Sequence, residues 1–219
     1  MPNNDFSGKT FVAFVDISGF KNMMQKKQAG DALMEFYSIG YRTLGEHPDI
    51  SGVFISDCGI LYHNGVAGDI NTKLQSILDA IKKINEKMLE KNYLLTTSIA
   101  YGEFEYRNKI ELENMTKNSF QGYAYLDAYL DSEDKGIHKL KAGECRVLIS
   151  DDLGTINLGN PNIKKTSKHF YYYWMLQENQ TIAGYEQNVK SIENKYTKKS
   201  KKINDEKFEE LKQLLKEQN

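Results

Sequence analysis

The sequence contains little cysteine, little proline and no excess of charge of either sign. There are two cysteines and three prolines among 219 residues, and the formal net charge is −1. Cys58 and Cys145 stand inside apolar segments, which is typical of buried thiols in a reducing compartment rather than of a disulfide framework. We therefore expect a cytoplasmic protein. Since the net charge gives no general attraction to nucleic acid or to an acidic membrane, neither is expected as a partner.

Long apolar runs are also missing. None approaches the roughly 18–20 residues of a membrane-spanning helix, and the first ten residues lack the basic and apolar regions of a signal peptide. The four histidines are scattered without the spacing of a zinc site. What remains is an ordinary globular composition, 40% hydrophobic and 27% charged. The chain is long enough for one core with an appendage.

Short apolar segments alternate with amphipathic ones along the chain. Apolar, β-branched and aromatic runs predict strands, and apolar positions three and four apart predict helices. The predicted strands are 10–16, 51–56 with a continuation after residue 58, 94–104, 145–150 and 169–176, and the predicted helices are 29–44, 70–90 and 122–134. This order predicts an α+β domain whose antiparallel or mixed sheet is covered by helices on one face.

The composition changes near residue 185. Lysines cluster in KYTKKSKKIN, and KFEELKQLLKE then repeats apolar residues at helical spacing. No linker rich in Pro, Gly and Ser separates this part from the rest. We expect a domain over 8–180 and a C-terminal helical extension over 185–219 that docks on the domain or on a partner chain.

Two of the apolar strands end on an aspartate. FVAFVDISGF carries Asp16, and SGVFISDCG carries Asp57. Two carboxylates side by side repel each other unless a cation lies between them, and Mg²⁺ is typically held by one or two carboxylates together with substrate phosphates. The loop after Asp16 offers backbone N–H groups to a phosphate, and Gly19 lets the backbone approach closely. The alternative for each aspartate is a turn or capping residue.

Five motifs resemble a known enzyme family. FVDISGF resembles the first signature of class III nucleotidyl cyclases, and FISDCGIL resembles the second. TSIAYGE is similar to the family's Gly-terminated strand before the dimer-forming segment. Further along, GYAYLDAYLDSED and CRVLIS resemble a helix and a strand of the bacterial pyrimidine cyclases of the Pycsar anti-phage system. Order and spacing agree over roughly residues 8–150.

The resemblance implies a ferredoxin-like βαββαβ core and active sites at the interface of a head-to-tail homodimer. It implies that Asp16, Asp57 and the backbone carbonyl of Ile17 bind two Mn²⁺ or Mg²⁺ ions in each active site. The residues that follow would cradle the triphosphate of the substrate: Ser18, Gly19 and Phe20.

The implied reaction is intramolecular. The ribose 3′-hydroxyl of UTP or CTP attacks the α-phosphorus, pyrophosphate leaves, and a 3′,5′-cyclic monophosphate forms, so the enzyme is a lyase. UTP is taken as the substrate ahead of CTP. Cyclic UMP or cyclic CMP would be a second messenger in anti-phage defence, read by a separately encoded effector.

The sequence also departs from the purine cyclases of this family. They have a Lys shortly before the second Asp and an Asn and an Arg on the third helix, whereas Leu126 and Leu130 occupy the two helix positions here. Pyrimidine cyclases often have an Arg at the start of the third strand, where this chain has Thr96. Arg146 and Lys141 are the nearest substitutes. Arg146 is predicted to contact the substrate, and the alternative is a surface residue at the edge of the sheet.

Tyr125 and Tyr129 lie four residues apart on the third helix and therefore on one face of it. They are predicted to narrow the base pocket so that a one-ring base fits and a purine does not. Packing in the core or in the dimer is the alternative. For the whole chain, the alternative to a cyclase is a non-catalytic nucleotide-binding or dimerisation module on the same fold, which the missing Asn and Arg favour.

Overall fold

The computed structural model describes residues 4–65, 68–112, 115–136, 138–153, 156, 159–195 and 201–218. Within these residues the strands are β1 (Phe6–Ile17), β2 (Ile50–Ile55), β3 (Cys58–His63), β4 (Leu95–Leu112), β5 (Met115–Gln121), β6 (Cys145–Leu148), β7 (Ile163–Lys165) and β8 (His169–Tyr172). The helices are α1 (Phe20–Gln25), α2 (Ala29–Glu46), α3 (Ile70–Glu90), α4 (Tyr123–Ser132), α5 (Ile182–Lys195) and α6 (Lys201–Gln218).

The strands form one mixed sheet in the order β2-β3-β1-β4-β6-β8-β7, and β5 pairs with β4 outside this path. β1 lies between β3 and β4 and is antiparallel to both. The pairing of β4 with β6 is parallel, and β6 with β8 is antiparallel. The first four strands with α2 and α3 are a βαββαβ-type core, so the predicted α+β class is confirmed.

Helices cover both faces of the sheet, where the sequence analysis expected one. Alternate residues of β1, such as Ala13 and Val15, join the core under α2 and α3, while Val12 and Phe14 join a second core with Ala124 and Ala128 of α4. The run FVAFV is apolar at every position, and such a run is typical of a strand buried on both sides. The run therefore indicates burial on both faces of β1, but it does not identify α4 as the element that covers the second face.

Several elements lie outside the predicted ones. The helix at 70–90 is confirmed at both ends, but α1, β5 and β7 were not predicted, and β4 continues to Leu112. Most of α5 falls within the helical extension expected over 185–219. The strand predicted over 169–176 ends at Tyr172. Trp174 nevertheless stays buried, and its indole N–H donates to the carbonyl of Gly143 at 2.8 Å. Aromatic residues there serve the core without forming a strand.

The C-terminal helix packs on the main core, as expected for an extension that docks on the domain. Leu215 is fully buried in the core that contains β1, and Phe208 and Leu211 pack against it. The boundary between 8–180 and 185–219 stays a prediction, and α5 begins at Ile182. Among the described residues, no helix has both the length and the apolar character needed to cross a membrane.

Candidate active site

Asp16 and Asp57 lie next to each other at one end of the sheet. Asp16 is the penultimate residue of β1 and faces Cys58 in the register of β1 with β3. Asp57 occupies the tight turn from β2 to β3, where Ser56 has the left-handed φ of 52°. The N–H of Ile17 donates to the carbonyl of Asp57, with an N···O distance of 3.0 Å. The turn therefore places Asp57 beside the end of β1.

The turn is held from the neighbouring helix. A left-handed conformation is unfavourable for a residue with a side chain. The hydroxyl of Tyr37 in α2 donates to the carbonyl of Ser56 at 2.9 Å. This contact ties the strained turn, and with it Asp57, to the rigid layer of α2.

The two aspartates make a site of concentrated negative charge. Burial, then the charges of Asp57 and Glu133, raise the pKa of Asp16 to about 7. Burial, then the charges of Asp16 and Asp57, raise the pKa of the Cys58 thiol to about 11. Each of these neighbouring charges is negative, so the described residues do not compensate the anionic form of Asp16. Partly buried carboxylates of this kind favour a bound cation.

The oxygen donors present fit a divalent ion that is bound partly by the protein and partly by the substrate. Asp16 and Asp57 supply carboxylate oxygens, which Mg²⁺ and Mn²⁺ prefer. In the part of the chain that the structure describes, no group of three or more His, Cys, Asp and Glu side chains is arranged to hold a metal. A closed, all-protein cage is therefore not formed there, and the remaining ligands would be water, backbone and phosphate oxygens, as is usual for Mg²⁺.

The loop after Asp16 turns sharply into α1. Gly19 adopts a left-handed φ of 80° at the helix N-cap, a conformation that favours glycine. The N–H groups of Ile17 and Ser18 are already used, donating to the carbonyls of Asp57 and Leu94. The first amides of a helix have no intrahelical acceptor, so those from Gly19 onward are the ones that suit a phosphate. Phe20 contributes only backbone there, since its side chain is buried in the core.

Ser18 is buried, whereas a side chain that binds a phosphate must be accessible to it. Among the described residues, the Ser18 hydroxyl has no hydrogen-bond partner. An unpaired buried hydroxyl costs on the order of 1–3 kcal/mol. The predicted role of Ser18 in substrate binding stays a prediction, which would need this hydroxyl to become accessible.

Tyr125 and Tyr129 lie on the face of the sheet that carries Asp16. Their rings stack with centroids 6.4 Å apart, and Tyr129 meets Phe14 edge-on at 5.4 Å. Phe14 precedes Asp16 by two residues and so shares its face of β1. Tyr125 is near Cys58, whose charge contributes to raising the tyrosine's pKa after burial. The structure thus brings both tyrosines towards the two aspartates.

Arg146 is used inside the protein instead of being available to a substrate. Its side chain is 0% exposed, and its Nε donates to Asp131 Oδ2 at 2.8 Å. Its terminal nitrogens donate to Asp131 Oδ1 at 2.9 Å, to the Asp131 carbonyl and to the His138 carbonyl. A buried guanidinium that is paired in this way has no charge left for a triphosphate. We therefore leave Arg146 out of the proposed substrate site.

Two features of the site were missed at the sequence level. Glu133, the C-cap residue of α4, contributes to the raised pKa of Asp16. Asp131 accepts hydrogen bonds from Arg146 and from Ser98, and the Ser98 Oγ lies 2.5 Å from Asp131 Oδ2. The Oδ1 atom of Asp131 lies 2.8 Å from His169 Nε2. These residues come from α4, β4, β6 and β8, and no local pattern marks them as partners.

Solved structures of nucleotide cyclase domains have a similar fold. The guanylyl cyclase domain of the RhoGC fusion protein from the aquatic fungus Blastocladiella emersonii superposes with a TM-score of 0.59 at 10% identity, covering 78% of this chain and 98% of that one. The guanylate cyclase domain of RhGC from Catenaria anguillulae, solved with GTP, gives 0.54 at 12% identity, covering 78% and 97%. The fold is that of a class III nucleotidyl cyclase domain.

The cyclase fold extends over bacterial examples as well. The adenylyl cyclase CyaB from P. aeruginosa gives a TM-score of 0.51 at 13% identity, covering 78% of this chain and 96% of that one. No protein-family model and no curated protein sequence matches the chain. At these identities the likeness establishes the cyclase fold and not the activity.

Proposed function

We propose that this chain is a divalent-metal-dependent nucleotidyl cyclase that acts on a pyrimidine nucleoside triphosphate. One observation carries the proposal: Asp16 and Asp57 meet at the end of β1 on a cyclase fold. The acidic groups around Asp16 leave its charge uncompensated, and a metal–nucleotide complex would supply the missing positive charge.

The chain's own residues would bind and orient the substrate. Asp16, Asp57 and the carbonyl of Ile17 would hold two divalent ions, which when bound lower the pKa of the attacking hydroxyl and compensate charge on the leaving oxygens. The amides from Gly19 onward would hold the phosphates. The ribose 3′-hydroxyl would then lose its proton to solvent, and its oxygen would form a bond to the α-phosphorus as the bond to pyrophosphate breaks, a step that depends mainly on positioning and electrostatics.

The stacked tyrosines support the choice of a pyrimidine. Tyr125 and Tyr129 put two aromatic side chains on the face that carries Asp16. We propose that they leave room for a one-ring base, because a wall of this kind discriminates by shape. UTP is the substrate proposed first and CTP the second. The product would be cyclic UMP or cyclic CMP, a second messenger in anti-phage defence that acts on a separately encoded effector.

The exposed face of α4 supports a homodimer. Four large apolar side chains of this short helix are exposed: Tyr123 by 72%, Leu126 by 44%, Tyr129 by 39% and Leu130 by 55%. Apolar side chains grouped in this way mark an interaction surface. The helix also carries Tyr125 and Tyr129 of the proposed site, so we propose a second copy of the chain as the occupant.

The activity is tested by incubating purified protein with ATP, GTP, CTP or UTP and Mn²⁺ and identifying products by mass spectrometry. A cyclic pyrimidine monophosphate is expected, with EDTA as the control that stops its formation. A cyclic purine product would overturn the pyrimidine proposal. If all four nucleotides stay intact, the non-catalytic nucleotide-binding module becomes the better account, which Leu126 and Leu130 in place of Asn and Arg favour.

The dimer is tested by placing charge on α4. The double variant Leu126→Asp/Leu130→Asp is expected to be monomeric in sedimentation velocity, and turnover should fall at least about tenfold, because burying unpaired carboxylates at an interface is costly. The matched control is Met34→Asp on α2, which replaces a methionine that is 70% exposed on the other side of the sheet. This variant should leave both the dimer and the turnover unchanged. A double variant that still dimerises would contradict this interface.

A further inference from the structure

A second cavity lies away from the two aspartates. It has a volume of about 610 Å³ and lies, open to solvent on one side, between the edge of the sheet at β6, β7 and β8 and the helix α5, with α6 at one end. Protein interiors leave few voids larger than a water molecule, and ligand sites typically have about 300–1,000 Å³. None of the residues proposed for catalysis lines it.

Ion pairs on its outer side hold the helix against the sheet edge. Lys164 of β7 pairs with Glu186 at 2.6 Å, and Lys141 pairs with Glu193 at 2.8 Å. Glu186 and Glu193 are seven residues apart and so share one face of α5. Exposed pairs of this kind contribute about 0–1 kcal/mol each. The pairs add to the packing of Tyr185 on the main core, which fixes α5 as one wall of the cavity.

The inner wall contains one carboxylate without a side-chain partner. Glu144 Oε2 accepts the backbone N–H of Lys141 at 2.8 Å, and the described residues give this carboxylate no other donor. Burial is the main cause that raises its pKa. Tyr173 and Tyr185 line the same space, with their rings edge-on at 5.7 Å. A carboxylate among aromatic walls is a ready acceptor for the N–H donors of a planar ligand.

The cavity has an excess of positive charge. Five lysines and three glutamates line it: Lys139, Lys141, Lys164, Lys190, Lys207, Glu144, Glu186 and Glu193. Lys190 has no carboxylate partner among the described residues. Lys207 lies 3.8 Å from Glu193, which already pairs with Lys141. These two lysines suit an anionic group on the ligand.

We propose that this cavity binds a guanine nucleotide at a site separate from Asp16 and Asp57. Guanine presents two adjacent N–H donors on one edge, which match the two oxygens of the Glu144 carboxylate. Adenine, cytosine and uracil place an acceptor beside the donor on that edge, and this acceptor would face a carboxylate oxygen. The ring stacks in the tyrosine-lined space, and the phosphate lies at Lys190 and Lys207.

The test is titration of the full chain with GMP by calorimetry at pH 8 in EDTA, so that binding which needs a metal at the aspartates is absent. GMP is expected to bind, and AMP and UMP at least about tenfold more weakly. Glu144→Gln should weaken GMP at least about tenfold, because its amide nitrogen would face a guanine N–H. Lys190→Ala should weaken GMP about threefold and reduce the salt dependence.

Two control variants separate this site from the rest of the surface. Lys87→Ala changes an exposed lysine of α3 outside the cavity and should leave GMP binding unchanged. Asp57→Asn should also leave it unchanged. The proposal is overturned if GMP shows no binding up to a concentration on the order of 1 mM, if UMP binds equally well, if Glu144→Gln has no effect, or if Asp57→Asn removes binding. None of these readings depends on cyclase turnover.

Discussion

Replacing Asp16 by Asn is expected to remove cyclase turnover and, in the absence of metal, to stabilise the fold. Loss of turnover by at least about 10³-fold follows because an amide is a much poorer ligand for Mg²⁺ or Mn²⁺ than a carboxylate, and the reaction depends on metal-held phosphates. Asp57→Asn should give the same loss of activity. Turnover retained by either variant would contradict the two-metal proposal.

The stabilisation follows from the raised pKa of Asp16. The pKa is about 7 in the folded protein because of burial, Asp57 and Glu133, and about 3.9 in an unfolded chain. The folded state therefore binds the extra proton between about pH 4 and pH 7, and the stability of the metal-free protein falls as the pH rises through this window. After allowance for partial exposure, Asp16→Asn should raise the free energy of unfolding at pH 8 by about 1–3 kcal/mol.

Urea unfolding in EDTA at pH 5 and pH 8 measures this effect. The difference in the free energy of unfolding between Asp16→Asn and the wild type should be present at pH 8 and be much smaller at pH 5. Asp151→Asn, at an exposed aspartate, is the matched control and should show no such pH dependence. Added Mn²⁺ should reverse the order, because it stabilises only the protein that binds it. A less stable Asp16→Asn variant at pH 8 in EDTA would contradict the electrostatic account.

Replacing Asp131 by Asn is expected to destabilise the fold strongly. Arg146 is fully buried, and Asp131 is its bidentate partner. Removing one member of a buried ion pair typically costs about 3–5 kcal/mol, because the other charge stays buried without compensation. Urea unfolding at pH 7 measures the loss. Asp134→Asn, three residues further along, is the control and should change stability by less than about 1 kcal/mol.

The same pair predicts an acid-dependent loss of stability. Burial opposes ionisation of Asp131, but the hydrogen bonds from His169, Arg146 and Ser98 outweigh it and lower the pKa to about 2. A lowered pKa contributes stability that is present above the unfolded value of about 3.9 and is lost as the pH falls towards 2. The wild type should lose this part of its stability between about pH 4 and pH 2, and Asp131→Asn should not.

A double variant separates the charge from the packing. Asp131→Leu/Arg146→Met replaces the buried pair by apolar side chains, and such a replacement is often neutral or stabilising. It should therefore be more stable than Asp131→Asn. If the single and the double variant unfold alike, the cost would come from lost packing of α4 and not from the unpaired guanidinium.

Sequence reasoning located the candidate site better than it assigned the residues around it. Asp16 and Asp57 were found because each ends an apolar strand and is followed by a glycine two or three residues later, a pattern confined to a few neighbouring residues. Arg146 was predicted to contact a substrate as the nearest substitute for the arginine that is missing at Thr96. The structure pairs it with Asp131 in α4, fifteen positions earlier in the chain.

The local pattern of apolar residues was sufficient to predict the strands β1 to β4, the helix α3 and the α+β class, because hydrophobic periodicity shows which side of an element is buried. The positions of both aspartates and the glycine at the left-handed turn were readable for the same reason. Only the tertiary structure decided that α4 covers the second face of the sheet, that Arg146 is buried with Asp131, and that Asp16 has a raised pKa. Those properties depend on burial and on charges brought together from distant parts of the chain, which no local pattern encodes.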